Sequence, residues 1–189
     1  MKHNIPAVIF AGGKSSRMGE DKALLPFGGY PTLSQYQYVR LAKLFHHVYL
    51  SAKENKFNFE AALLEDIYPE DSPLVALVSI FETLKVEKVF VLSVDAPFVS
   101  KEIIAKLISI QEHTDVVVAK SSSGLQPLCA VYHRSILTRA KQHLEANNHR
   151  LTSLLTHANT HTIYFENDDL FSNLNHPHEY NEALKSFDS

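Results

Sequence analysis

Short apolar runs alternate with amphipathic stretches along most of this chain. Ala7-Val8-Ile9-Phe10 places four apolar residues in a row, the pattern of a strand buried on both faces. Val48-Tyr49-Leu50, Leu63-Leu64, Val89-Phe90-Val91-Leu92, Val116-Val117-Val118 and residues 128–132 repeat it. Between these runs the apolar residues recur at helical spacing. Residues 32–43 have Leu33, Tyr36 and Leu44 bracketing a buried side; Leu74, Leu77, Val78 and Phe81 follow Pro73, which suits a first helical turn; Ile103, Ile104, Leu107 and Ile108 form a third stripe, and Leu137, Ala140 and Leu144 a fourth. Regular alternation of strand and helix predicts an α/β fold, here a single Rossmann-like three-layer domain over residues 1–189 with a mostly parallel central sheet. Residues 89–92 form its central strand. The tract Ser121-Ser122-Ser123-Gly124 reads as a loop between two strands and a candidate for movement over a ligand.

Composition narrows the partners. A net charge of −3 over 189 residues gives no global attraction to nucleic acid or to acidic membranes, so any polyanion has to be bound locally. Met1-Lys2-His3-Asn4 runs directly into the first strand without a secretory apolar region, and no apolar run reaches bilayer length; both point to a soluble, cytoplasmic protein. The lone Cys129 has no partner for an internal disulfide and reads as a small buried hydrophobe. The eleven histidines do not suggest a zinc site: His46-His47 are adjacent, His143, His149, His157 and His161 are spread through a polar, solvated stretch, and no HExxH occurs.

The chemistry concentrates behind the first strand, in AGGKSSRMGEDKALLP from Ala11 to Pro26. Gly12-Gly13 allow a sharp turn and a close backbone approach to a ligand, and successive N–H groups in such a turn form an anion-binding concavity. Lys14, Arg17 and Lys22 follow as candidate counter-charges for a polyphosphate. The string is neither GxxxxGK[ST] nor GxGxxG. The alternative is an ordinary strand-to-helix turn ahead of a solvated basic loop. A second candidate is Asp95, in SVDAPFVS at the tip of the central strand. One strand-tip carboxylate, with phosphates and waters completing the octahedron, is a sufficient protein contribution to a magnesium site; a capping or turn aspartate is the competing reading.

Taken together, AGG, Arg-Met-Gly, Asp-Lys and the apolar pair before proline resemble the signature of nucleotidyltransferases, in the form of the molybdenum cofactor guanylyltransferase (MobA) family. SVDAPFVS resembles that family's metal-binding aspartate element. Asp71-Ser72-Pro73-Leu74-Val75-Ala76-Leu77 resembles its GPLxG-like helix start, with Ser72 and Ala76 in place of glycines. Residues 124–132 resemble its GxxxPLxAxY segment, expected on the acceptor side, and residues 173–177 its NxNxP element. The resemblance implies a nucleotidyltransferase-type fold and transfer of GMP from GTP to molybdopterin, with Arg17, Lys22 and Asp95 as catalytic residues. It implies that Phe10, Ala11, Gly12, Gly13, Lys22, Ser51, Asp66 and Asp95 bind the nucleotide and that Asp95 holds Mg2+. The guanine-reading acid is Asp66 by residue type and Glu65 by spacing to Pro73. Asn175 is either a metal or phosphate contact or the cap of the last helix. Implied partners are a molybdenum-insertion protein and molybdoenzyme chaperones. Alternatives are a molybdopterin cytidylyltransferase, a sugar-phosphate nucleotidyltransferase and a non-catalytic nucleotide sensor.

Overall fold

The computed structural model of the chain describes residues 2–13, 19–111 and 113–187. Its strands are β1 (Ala7–Phe10), β2 (Val48–Ala52), β3 (Ala62–Glu65), β4 (Lys88–Ser93), β5 (Val116–Ser121), β6 (Gly124–His133) and β7 (Thr160–Tyr164). They form one sheet in the order β3-β2-β1-β4-β6-β5-β7. β1 pairs parallel with β2 and β4, and β2 with β3; β6 runs antiparallel to both β4 and β5, and β7 is parallel to β5. The α/β fold with a mostly parallel sheet is therefore present, with β6 as the reversed strand.

The apolar runs work as two-faced strands. In β1, Ala7 and Ile9 enter one core while Val8 and Phe10 enter the other; in β4, Phe90 and Leu92 oppose Val89 and Val91 in the same way. One core is closed by α1 (Leu33–Ala42), α3 (Lys101–Ser109) and α6 (Pro177–Phe187), the other by α2 (Pro73–Leu84), α4 (Leu137–Glu145) and α5 (Leu151–Thr156). Helix starts follow capping chemistry. Thr32, Ser72 and Ser100 accept from the amides of Gln35, Val75 and Ile103, and α2 ends where Lys85 turns left-handed at φ 53°.

Two segments gain detail in the structure. The Ser121–Gly124 tract joins two strands as expected: Ser122 and Ser123 are the two-residue turn of the β5–β6 hairpin, and Asp168 accepts from Ser122 Oγ and from the Ser123 amide. The polar stretch around His157 and His161 also contains α5 and the edge strand β7, which its sequence pattern does not indicate. Only Ile163 of β7 is buried, and an edge strand with one inward residue has no apolar run to announce it. No helix among the described residues is long and apolar enough to cross a membrane.

Because β1, β2, β3 and β4 are parallel, their carboxyl ends open on one rim. β1 lies between β2 and β4, where successive connections leave in opposite directions, the position at which open α/β sheets bind ligands.

Candidate active site

The rim is tied together by backbone hydrogen bonds before any side chain is considered. Ala11 donates to Ser51 O at 2.9 Å and Val94 to Phe10 O at 3.0 Å, so the exits of β1, β2 and β4 are held in register. Gly13 has φ +109°, a conformation that disfavours any side chain. Gly12 is different: a Cβ there would meet Ala52 Cα at 3.6 Å and Ser51 O at 3.8 Å, ordinary contacts, so nothing in the protein itself demands glycine. Lys14 and Arg17 lie outside the described residues. The chain continues from Gly19 to Asp21, whose carboxylate accepts from Ala23 N at 3.0 Å and pairs with Lys56 at 2.5 Å. That cap starts the short 3-10 turn Lys22–Leu24, which presents Lys22 to the rim.

Asp95 leaves the end of β4 and is 6% exposed. Its Oδ1 accepts from Ser93 Oγ, and its Oδ2 forms an ion pair with Lys22 Nζ. The same ammonium donates to Asn175 Oδ1 at 2.9 Å. The sequence did not anticipate the direct Lys22–Asp95 pairing, which joins residues 73 positions apart. The Asp95 carbonyl accepts from Leu174 N at 2.9 Å, drawing the segment before α6 to the site. Glu179 Oε2 accepts from the amides of Asn175 and His176 at 2.7 and 2.8 Å and so performs the capping. The Asn175 side chain is thereby turned to Lys22 instead.

Lys22, Ser93 and Asp95 face a cavity of about 500 Å³. Phe10, Ala11, Gly12, Gly13, Lys22, Ser51, Asp66 and Asp95 all line it. Of the two acids left open by the sequence, Glu65 is exposed and absent from the wall. Asp66 lines it, with Oδ1 buried and, among the described residues, without a hydrogen-bond partner. Burial pushes the Asp66 carboxyl above its ordinary range, Asp71 adds to this and Lys53 opposes it. An unsatisfied buried acceptor is costly unless a ligand or water meets it. Ser72, Pro73 and Ala76 bring the amino end of α2 to the same wall, so the serine and alanine that replace glycines are part of the lining.

A second cavity of about 450 Å³ adjoins the first and shares Pro73, Ser93, Asp95 and Leu128 with it. Gln126, Pro127 and Cys129 of β6 line it opposite His149, Arg150 and Thr152. His149 Nδ1 lies 3.0 Å from Ser72 Oγ, linking the walls of the two cavities. Sequence reasoning put His149 in a solvated stretch and passed over Arg150. No spacing pattern marks either residue, and only the packing of α5 under β6 brings them there.

Among the described residues no group of three or more His, Cys, Asp or Glu is placed to hold a metal ion. Mg2+ does not need such a group, because it takes one or two protein carboxylates and completes its shell with substrate phosphates and water. Asp95, with the Asn175 amide oxygen on the same ammonium, offers hard oxygen donors of that kind.

The sequence pattern of the MobA-like NTP transferase domain matches residues 7–162. The chain belongs to this family. It is 39% identical over 187 residues to a molybdenum cofactor guanylyltransferase of Campylobacter jejuni subsp. doylei, covering 97% of each chain. It is also 39% identical over 188 residues to one of Helicobacter pylori, covering 97% of this chain and 90% of that one. The solved molybdopterin-guanine dinucleotide biosynthesis protein A of Archaeoglobus fulgidus shares the MobA-like fold with a TM-score of 0.83 at 16% identity, over 96% and 98% of the two chains. In this MobA-like chain the matched residues 7–162 contain the β1 exit, Lys22, Asp66 and Asp95, while Asn175 lies beyond them.

Proposed function

We propose that this chain transfers GMP from GTP to the molybdopterin form of the molybdenum cofactor, giving the guanine dinucleotide cofactor and pyrophosphate. The observation that carries the reading is one cavity in which the β1 loop, Lys22, Asp95 and an unsatisfied Asp66 converge, in a chain whose relatives bear that name. A carboxylate at Asp66 accepts both the ring N–H and the exocyclic amine of guanine; adenine has no such adjacent donors. Backbone amides around Gly13 and the amino end of α2 hold the phosphates.

The acceptor occupies the adjoining cavity, bounded by β6 and residues 149–152. Its terminal phosphate oxygen attacks the α-phosphorus in line; the new O–P bond forms as the bond to the bridging oxygen of pyrophosphate breaks. A phosphate monoester is already anionic near neutral pH, so positioning and charge neutralisation suffice and no general base is required. Lys22 neutralises charge growing around the α-phosphorus, and Arg17 holds the departing pyrophosphate. Asp95 would hold Mg2+, which would supply Lewis-acid neutralisation of negative charge on the phosphates. The reading places the protein in the cytoplasm, between a molybdenum-insertion protein upstream and molybdoenzymes or their chaperones downstream.

Calorimetric titration of the purified protein with GTP, CTP, ATP and UTP, with and without Mg2+, followed by pyrophosphate release with molybdopterin, tests it. Selective GTP binding strengthened by Mg2+, with release only when the acceptor is present, is the expected result. A preference for CTP would move the protein to cytidylyl transfer. Binding of GTP without turnover would leave a sensor, and no nucleotide binding would overturn the reading.

A further inference from the structure

Helix α1 turns two polar side chains toward the loop that carries Asp95. Gln37 is fully buried, and its Nε2 donates to Val94 O at 3.1 Å. Arg40, one turn on, donates through Nη1 to Pro97 O at 2.7 Å and Val99 O at 2.8 Å, and through Nη2 to Gln37 Oε1 at 2.6 Å. The guanidinium carbon lies 5.7 Å from the Tyr36 ring centroid. Backbone carbonyls on both sides of Asp95, at positions 94, 97 and 99, are thus held by one connected pair of side chains.

The arrangement is expensive for a purely structural tie. Among the described residues no carboxylate forms an ion pair with Arg40, and its Nε is buried without a hydrogen-bond partner. Burial accordingly holds the guanidinium below its ordinary range, Tyr36 opposing. An apolar side chain would fill the space without desolvating a charge. What an apolar residue cannot do is span three acceptors with a rigid planar fork. The loop it grips also anchors the opposite wall, because the Asp95 carbonyl receives the Leu174 amide next to Asn175.

We infer that Arg40, supported by Gln37, is a positioning residue: it fixes the backbone on both sides of Asp95 so that this carboxylate, Lys22 and Asn175 stay in one geometry. Arg40 is not in the lining of either cavity. It acts through Asp95, and in that respect the inference rests on the proposed function.

The test uses the full chain with Arg40→Gln, Arg40→Lys and Gln37→Ala. Pyrophosphate release gives kcat, KM for GTP and the half-saturating Mg2+ concentration; thermal unfolding gives Tm; hydrogen exchange follows the Val94 and Ala96 amides, which donate to Phe10 O and Ser93 O. Misplacing a reacting group by a fraction of an ångström predicts a kcat loss and a rise in half-saturating Mg2+ of roughly ten- to hundredfold for Arg40→Gln. Binding of GTP without Mg2+ falls less than kcat does, because Asp66 follows β3, on the other side of β1 from the clamped loop. Arg40→Lys restores part of the loss, since it keeps the charge but not the fork. A lowered Tm with wild-type kcat and wild-type Mg2+ dependence would overturn the inference. If Arg40→Gln fails to fold, Gln37→Ala decides: an unchanged Mg2+ requirement sinks the idea. If the wild-type chain shows no turnover, the function proposal fails separately, and exchange still decides the clamp, with selectively faster Val94 and Ala96 amides in Arg40→Lys supporting it and unchanged or uniformly faster exchange overturning it.

Discussion

The two halves of the sheet present different chemistry to neighbouring cavities. In the β3-β2-β1-β4 half, parallel strands end on one rim and hand over charged groups: Asp66 after β3, Asp95 after β4, and Lys22 from the loop after β1. In the β6-β5-β7 half, the reversed β6 runs its side chains along the cavity wall instead of ending at it, and what it offers is Gln126, Pro127, Leu128 and Cys129. Parallel strand ends concentrate loops, and loops can carry charge at a rim; a strand lying along a wall contributes shape and few ionisable groups. Substitutions in the first half should therefore change chemistry and nucleotide selectivity, and those in the second half mainly stability, thiol reactivity and the fit of the acceptor.

The largest expected break in that contrast is Lys22→Ala or Asp95→Asn. Each removes one member of the Lys22–Asp95 ion pair, and if the pair faces the reacting phosphates as proposed, turnover should fall about 10²–10³-fold with little change in the fold. Steady-state pyrophosphate release with circular dichroism as the fold control checks this, and an unaltered kcat would remove the residue from the mechanism.

Asp66→Asn comes next. Losing a charged acceptor should weaken GTP by about 1.5–3 kcal/mol while leaving CTP and ATP unaffected, measured by calorimetry. The pH dependence carries the same signature. Because burial raises the Asp66 pKa, this carboxyl takes up its proton at a higher pH than an exposed aspartate. Protonation converts an acceptor to a donor, so GTP affinity of the wild type should decline on acidification through that pKa, whereas Asp66→Asn should stay flat. Parallel pH profiles for the two proteins would refute the assignment.

In the other half, Tyr132 is fully buried and its hydroxyl donates to Pro127 O at 2.9 Å. Tyr132→Phe should cost about 1 kcal/mol in urea unfolding and leave nucleotide binding alone. A change in GTP affinity would blur the division between the halves. The smallest effect concerns Cys129, whose thiol burial pushes up to about 12. The native protein should resist iodoacetamide at neutral pH and react only on unfolding; rapid native labelling would mean that the second cavity opens more deeply than the packing allows.

Legibility in the sequence divides along the same line. β1 and β4 announce themselves because both faces are buried, so their apolar runs are continuous. The glycine turn, Lys22 and Asp95 are readable because phosphate chemistry needs particular residue types close to strand ends. β7 is hidden because one buried residue gives no periodicity, and the reversal of β6 is hidden because a strand reads alike in either direction. Asp66 could be separated from Glu65 only by which side chain faces inward, and a one-residue step along an extended chain reverses that.

By itself the sequence determined the alternation of elements, the two-faced central strands, the candidate phosphate-binding loop and the family resemblance, because these depend on residue type and local spacing. Tertiary structure alone decided what meets across long separations: Lys22 with Asp95 and Asn175, Ser72 with His149, and Arg40 with the carbonyls around Asp95. Those contacts depend on strand order and helix placement, and both are fixed only when the two cores close on opposite faces of one sheet.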